Sequence, residues 1–190
     1  MINSGSGSKM AVTYLGTNTL AIKKGAADLL IDPHFSRPGF LQLLSVQPDP
    51  KRIAEGLRMG GISELAAVLL THTHYDHALD LPAILQKTGG AVFGSESARQ
   101  ILLGSNLPEI CFHPVKIGEV TQIGPFTVCF HPAQHIPFPP PLRWMLPESG
   151  EVTTPLTPPA PFWAYCCGEV YAIQVDRTLI FGSAGFERGA

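Results

Sequence analysis

The stretch 71-THTHYDHALD-80 follows an apolar run and concentrates chemistry-bearing side chains in a short segment. The chain has only 7 histidines among its 190 residues, and three of them fall here with an aspartate. His72 and His74 are two residues apart in an extended segment, so both imidazoles can point to one side. Imidazole suits Zn, Fe or Mn, and Asp76 adds a harder oxygen ligand. A polar loop after a buried strand is the alternative, but the spacing favours a metal site.

The position of this cluster in the chain supports the same interpretation. The run 64-ELAAVLL-70 is apolar on both faces, which predicts a buried strand. Ligands that follow such a strand lie at the edge where open α/β sheets usually bind their ligands. His77 adjoins Asp76, so this pair can face a second ion beside the first.

Composition narrows the class of protein. At 190 residues, with 45% hydrophobic and 15% charged residues, the chain fits one globular domain. The net charge of −2 and the lack of a basic block do not favour a nucleic-acid partner. No apolar run approaches the roughly 18 residues that span a bilayer, and no secretory signal is visible. The 4 cysteines form no C-x-x-C pair, so reduced thiols in a cytoplasmic protein are expected.

The order of predicted elements indicates an α/β fold. Residues 11 to 32 hold three short strands punctuated by glycines, which is typical of an antiparallel meander. Residues 64 to 104 alternate strand, helix, strand and helix, which predicts parallel pairing. Ser95 is a candidate N-cap for the helix that starts at residue 96. Short strands with turns at Gly118 and Gly124 come next, and two final strands are expected at 164–175 and 178–184.

Domain boundaries follow from these segments. Residues 1–9 are interpreted as a lead that is either flexible or artificially added, and residues 10–190 as a single domain. The segment 136–161 carries many of the chain's 18 prolines and is predicted to be a long loop. Loops of this length in a compact domain are usually functional lids or disordered.

The pattern His72-x-His74-x-Asp76-His77 after an apolar strand resembles the signature of the metallo-β-lactamase superfamily. The early 29-LLIDPHFS resembles the strand that ends in Asp-Pro in many members. The later 132-PAQHIP resembles the third-histidine segment of the branch with ascorbate-6-phosphate lactonase and N-acyl-phosphatidylethanolamine phospholipase D. These landmarks span residues 11 to 185.

The resemblance implies an αββα sandwich that holds one or two divalent ions, with Zn first and Mn or Fe as alternatives. It implies that His72, His74 and His135 hold the first ion and that Asp76 and His77 help to hold the second. Metal-activated hydroxide would attack an ester, lactone or phosphodiester, with Asp76 as the catalytic residue that orients the water. His131, at the end of the preceding strand, is the competing third histidine. Asp32 is expected to orient the motif loop through hydrogen bonds.

The end of the chain departs from the family pattern. Ala184 and Gly185 stand where the family usually places a Gly-Asp pair with a bridging aspartate, and no final histidine follows. The resemblance therefore implies a sandwich whose second αβ layer is incomplete, as if truncated at the C-terminus. A fragment, a second copy that covers the exposed layer, and a degenerate member all remain open.

Two functions from different classes follow. One is a metal-dependent hydrolase that acts on a small-molecule substrate. The other is a non-catalytic member that works through metal binding or protein contacts. The apolar residues of 136–163, including Phe138, Trp144, Phe162 and Trp163, could grip an acyl or aromatic group or could simply cover the core.

Overall fold

The computed structural model describes residues 8–137 and 149–185. The strands and α-helices of these ranges are numbered here in chain order, and 3-10 turns occur at Phe40–Ser45, Glu109–Cys111 and Phe162–Ala164. The elements are β1 Ala11–Gly16, β2 Thr19–Lys24, β3 Ala27–Ile31, α1 Pro50–Gly60, β4 Ala67–Leu69, α2 Tyr75–Ala78, α3 Leu81–Thr88, β5 Ala91–Gly94, α4 Glu96–Gly104, β6 Phe112–Pro114, β7 Val120–Ile123, β8 Phe126–Pro132, β9 Gln134–His135, β10 Tyr171–Val175, β11 Thr178–Phe181 and β12 Ala184–Gly185.

The larger sheet has the strand order β1-β2-β3-β4-β5-β6. Its first three strands are antiparallel, and β3, β4, β5 and β6 pair in parallel. This mixture confirms both the meander and the strand-helix alternation predicted from sequence. Parallel neighbours end at one edge of a sheet, so the residues after β3 and β4 meet there.

The helices cover one face of this sheet. Buried residues of α1, α3 and α4 pack with Leu30, Val68 and Val92 of the strands in one apolar cluster. Helix α1 is capped by Asp49, whose carboxylate accepts from two backbone amides, and it ends at Gly61 in the left-handed conformation. Ser95 is the N-cap residue of α4, as predicted, but its buried hydroxyl makes no hydrogen bond to the first turn of the helix.

The other face of the larger sheet packs on a four-stranded antiparallel sheet, ordered β11-β10-β8-β7. Alternate residues of β8, namely Phe126, Val128 and Phe130, are buried against Leu29 and Ile31 of β3. The fold is therefore a helix–sheet–sheet sandwich of mixed α/β type. In the ranges that the structure describes, no α-helix lies on the outer face of the smaller sheet, in keeping with the incomplete layer predicted from sequence.

Several predicted boundaries change. The buried strand expected at 64–70 is regular only over β4. The strand expected at 164–175 begins only at Tyr171, so Cys166 and Cys167 precede it. All 4 cysteines are unpaired, as predicted.

Residues 1–7 of the expected lead and 138–148 of the proline-rich loop lie outside the described residues. Residues 149–161 form no helix or strand beyond a single bridge between Val46 and Ala160. No described helix is both long and apolar enough to cross a membrane.

Candidate metal centre

The histidine stretch connects β4 to α2 at the seam between the two sheets. The backbone amide of Tyr171 donates to the Thr71 carbonyl at 2.8 Å, and the Thr73 amide donates to the Cys167 carbonyl at 2.9 Å. The Thr73 hydroxyl also donates to the Cys166 carbonyl at 2.7 Å. Because the partners in these bonds belong to β10 and to the segment just before it, the smaller sheet holds the histidine stretch, which follows β4 of the larger sheet, in place.

Three predicted ligands meet at this seam. His72, His74 and His135 offer nitrogens that all lie within 4.8 Å of one another. The ring centroid of His135 lies 4.9 Å from that of His72 and 4.8 Å from that of His74. His135 reaches this point because β9 pairs with β12, where His135 lies opposite Ala184. The structure thus brings together the three residues predicted for the first ion.

Hydrogen bonds select the tautomers of these rings. Thr71 Oγ1 donates to Asp32 Oδ2 at 2.6 Å, so it can accept from His72 Nδ1 at 3.1 Å. His135 Nδ1 donates to the Ile136 carbonyl at 2.7 Å. Each neutral ring then carries no proton on Nε2, which is the form that binds a metal ion. The His72 Nε2 atom lies 3.0 Å from His74 Nδ1, so these nitrogens face each other.

This donor set fits a divalent metal ion. Three imidazoles are a common ligand set for Zn²⁺ that leaves a position open for water or substrate. Burial, followed by the nearby His77, His74 and His135, holds the pKa of His72 well below its usual range. A histidine that resists protonation keeps its lone pair for an ion.

Asp32 supports the centre from the end of β3. Its buried carboxylate accepts from the Thr71 amide at 2.8 Å and from the Thr71 hydroxyl. It also lies 2.9 Å from His77 Nδ1. These contacts are the hydrogen bonds that the sequence led us to expect of Asp32, and they tie the ends of β3 and β4 to helix α2.

Asp76 and His77, predicted for a second ion, are placed differently from the three-histidine group. His77 is buried beside His72, with ring centroids 3.8 Å apart. Although burial opposes a positive charge, the Asp32 carboxylate raises the pKa of His77. His77 Nε2 lies 2.8 Å from the Asn18 side-chain amide and 3.7 Å from Asp76 Oδ2. Neither residue belongs to a group of three potential ligands in the described ranges.

Sequence reasoning assigned no part in the centre to three residues that the structure places near it. Asn18 lies in the β1–β2 turn, and its only sequence signal was the preference of asparagine for turns. Ser183 brings its hydroxyl to 3.4 Å from His77 Nε2, and it lies in the segment where the bridging aspartate was sought. His34 is buried with no hydrogen-bond partner on Nδ1, and burial lowers its pKa to about 4.

Other histidines lie away from the centre. His131 Nε2 lies 3.1 Å from Gln174 Oε1 across the β8–β10 pair, on the outer face of the smaller sheet. His113 stacks on Phe93 with ring centroids 4.9 Å apart. The alternation of β8 turns His131 outward, and the chain must pass into β9 before a histidine can face the seam.

The suggested apolar flap is only partly within the described residues. Phe162 is not available to grip a substrate, because it is buried in the helical core and its ring lies 5.8 Å from that of Tyr75. Trp163 is 47% exposed. Phe138 and Trp144 lie outside the described residues.

Comparisons with known proteins agree with this architecture. A "UPF0173 metal-dependent hydrolase" of Methylobacterium nodulans is 28% identical over 174 residues, or 91% of this chain and 65% of that protein. The "UPF0173 metal-dependent hydrolase Atu1317" of Agrobacterium fabrum is 29% identical over 127 residues, which cover 66% of this chain and 48% of that protein. The chain thus spans less than two thirds of the length of these relatives.

Solved structures share the fold at low sequence identity. Igni18, described as a novel metallo hydrolase from Ignicoccus hospitalis, has a TM-score of 0.54 at 18% identity, over 93% of this chain and 60% of that one. A "Putative metal-dependent hydrolase" from Parabacteroides distasonis has a TM-score of 0.50 at 14% identity, over 94% of this chain and 61% of that one.

A family model described as "Beta-lactamase superfamily domain" matches residues 28–150, which include the whole histidine stretch and His135. This match covers more than half of the chain. It agrees with the sandwich of two sheets and with the His-x-His-x-Asp-His pattern at the seam. The chain therefore belongs to the metallo-β-lactamase superfamily.

Proposed function

We propose that this chain carries the metal centre of a metal-dependent hydrolase that acts on an ester, lactone or phosphodiester. The observation that supports it is the convergence of His72, His74 and His135, whose ligand nitrogens lie within 4.8 Å of one another. The names of the relatives point to the same reaction class.

His72, His74 and His135 would hold the ion. A divalent ion there would polarise a carbonyl or phosphoryl oxygen and lower the pKa of water to about 7. Asp32 and Thr71 keep the His72 proton on Nδ1, since the carboxylate fixes the direction of the hydroxyl. The protein thereby presents one unprotonated nitrogen of His72 in a fixed direction before any ligand arrives.

Asp76 is the proposed general base. Its side chain is 33% exposed, so the carboxylate can reach water at the mouth of the site. It lies in the first turn of α2, next to the proposed ligand His74. As a carboxylate it can accept a proton from water at Oδ2 and pass it to the leaving group.

A non-catalytic, metal-binding member is the competing function. The neutral hydroxyl of Ser183 beside His77, at the place sought for a bridging carboxylate, favours it. Metal content combined with turnover separates the two functions. A metal-loaded protein without hydrolytic activity toward any carboxylic or phosphoric ester would support the non-catalytic member.

The test uses protein purified without a chelator or a histidine tag. Elemental analysis gives the metal content per chain, and p-nitrophenyl acetate and bis-p-nitrophenyl phosphate report turnover. We expect metal in the wild type, turnover that a chelator abolishes, and neither in the double variant His72→Ala/His74→Ala. His113→Ala is the matched control, since that imidazole stacks on Phe93 outside the centre. Full metal content in the double variant would refute the assignment.

A further inference from the structure

The nitrogen of His77 that could bind a second ion is already engaged. His77 Nδ1 faces the buried Asp32 carboxylate at 2.9 Å, which holds a proton on that nitrogen. The remaining nitrogen, Nε2, lies 2.8 Å from Asn18 Nδ2. In the neutral ring, Nε2 accepts a hydrogen bond from the Asn18 amide.

Within the described ranges 8–137 and 149–185, the other groups near His77 Nε2 offer little to a cation. Ser183 contributes a neutral hydroxyl at 3.4 Å. Asp76 contributes a negative charge, but at 3.7 Å and partly exposed to water. By contrast, the first site has three imidazoles that approach one another closely. Because divalent ions need several well-placed donors, the two positions differ greatly in what they offer.

Asn18 is held in place by its turn. Gly16 and Thr17 both have positive φ angles, of 98° and 52°, so the β1–β2 connection is tight. The buried hydroxyl of Thr19 donates to the Asp32 carbonyl at 3.0 Å and accepts from the His34 amide at 2.9 Å. The turn that carries Asn18 is thus attached to the backbone of the residue whose carboxylate orients His77.

We propose that Asn18 keeps His77 from binding metal, so that this centre binds one divalent ion where the ligand pattern alone allows one or two. Asn18 acts as a positioning residue that determines metal stoichiometry. This inference rests on the proposed three-histidine centre. It explains why His77 can keep its place in the motif while contributing to the hydrogen-bond network instead of to coordination.

Removing the amide tests this role directly. Asn18→Ala leaves Nε2 beside Ser183 and Asp76, so a second ion should bind weakly. Asn18→Ala/Ser183→Asp adds an anionic oxygen within reach of that nitrogen, and the affinity for the second ion should rise by about 10-fold or more. Thr17→Ala is the matched control, because this residue shares the turn and its side chain is exposed.

Titration with Co²⁺, followed by visible absorption and calorimetry, counts the ions without relying on turnover. We expect one equivalent in the wild type and in Thr17→Ala, and two in Asn18→Ala/Ser183→Asp. Adding His77→Ala to that double variant should return the count to one. Two equivalents of similar affinity in the wild type would overturn the proposal, as would a count of one in both Asn18 variants. A wild type that binds none would instead refute the three-histidine centre, and this inference with it.

Discussion

Replacing Asp32 with alanine removes the carboxylate at which the ends of β3 and β4 and helix α2 meet. Asp32 is fully buried and accepts from the Thr71 amide, the Thr71 hydroxyl and His77 Nδ1, at 2.8, 2.6 and 2.9 Å. Without this carboxylate the Thr71 hydroxyl can donate to His72 Nδ1 once the His72 proton moves to Nε2, so the two buried donors that lose their partner are the Thr71 amide and His77 Nδ1. At about 1–3 kcal/mol for each unsatisfied donor, we expect a loss of about 2–6 kcal/mol in the free energy of unfolding.

A matched substitution on the same strand isolates the effect of these contacts. Asp28 lies near the start of β3 and pairs with Lys23 at 2.6 Å, and the Lys23 side chain is 35% exposed. Asp28→Ala removes the same side chain but breaks only a partly solvated ion pair, which is worth about 1 kcal/mol or less.

Urea unfolding of chelator-treated protein, followed by circular dichroism, measures both losses without a contribution from bound metal. The metal affinity of the folded variants, measured separately, should fall for Asp32→Ala and stay unchanged for Asp28→Ala. Equal destabilisation by the two substitutions, or unchanged metal affinity in Asp32→Ala, would contradict the role assigned to Asp32.

Three further outcomes are expected. Gly182→Ala places a Cβ 2.6 Å from Thr71 Oγ1 and 2.9 Å from Asp32 Oδ2. Thermal unfolding should therefore show a loss of about 1–3 kcal/mol in the free energy of unfolding. Gly39→Ala is the control and should be neutral, because its Cβ meets nothing closer than 3.6 Å. Asp80→Ala removes the acceptor of the Phe35 and Ser36 backbone amides, which donate to this carboxylate at 2.6 and 2.7 Å. Denaturant unfolding should show a loss of about 2–6 kcal/mol in the free energy of unfolding. Partial burial raises the pKa of Asp176, but its hydrogen bonds, led by that from Lys24, together outweigh burial and lower the pKa overall. The stabilisation from these bonds is therefore present above about pH 4 and is lost as the pH falls further. Asp176→Asn should therefore be less stable than wild type at pH 7, and unfolding at pH 3 should show that gap narrow.

Much of the fold was predictable because its signals are local. The alternation in β8 and the apolar run that contains β4 depend on residues close together in sequence. Local signals did not decide the contacts of single side chains. Ser95 stands at the start of α4, as an N-cap would, yet its hydroxyl makes no cap bond. Phe162 follows a proline-rich stretch typical of a flap, yet it packs in the core.

The sequence alone predicted the kind of site and its main candidate ligands. The spacing of His72, His74, Asp76 and His77 after an apolar strand points to a metal, because ligand type and direction follow from residue identity and strand geometry. The resemblance to a known family then pointed to His135 over His131, and the structure places His135 beside His72 and His74.

Only the tertiary structure decided what surrounds those ligands. The side chain of Asn18 contacts His77 at a sequence separation of 59 residues, and that of Ser183 contacts it at a separation of 106 residues. No local pattern encodes such distances, since they depend on how β1 turns into β2 and on where β12 pairs with β9. The candidate ligands His72 and His74 can be recognised from the stretch itself, whereas the proposed number of ions depends on side chains that folding brings to its edge.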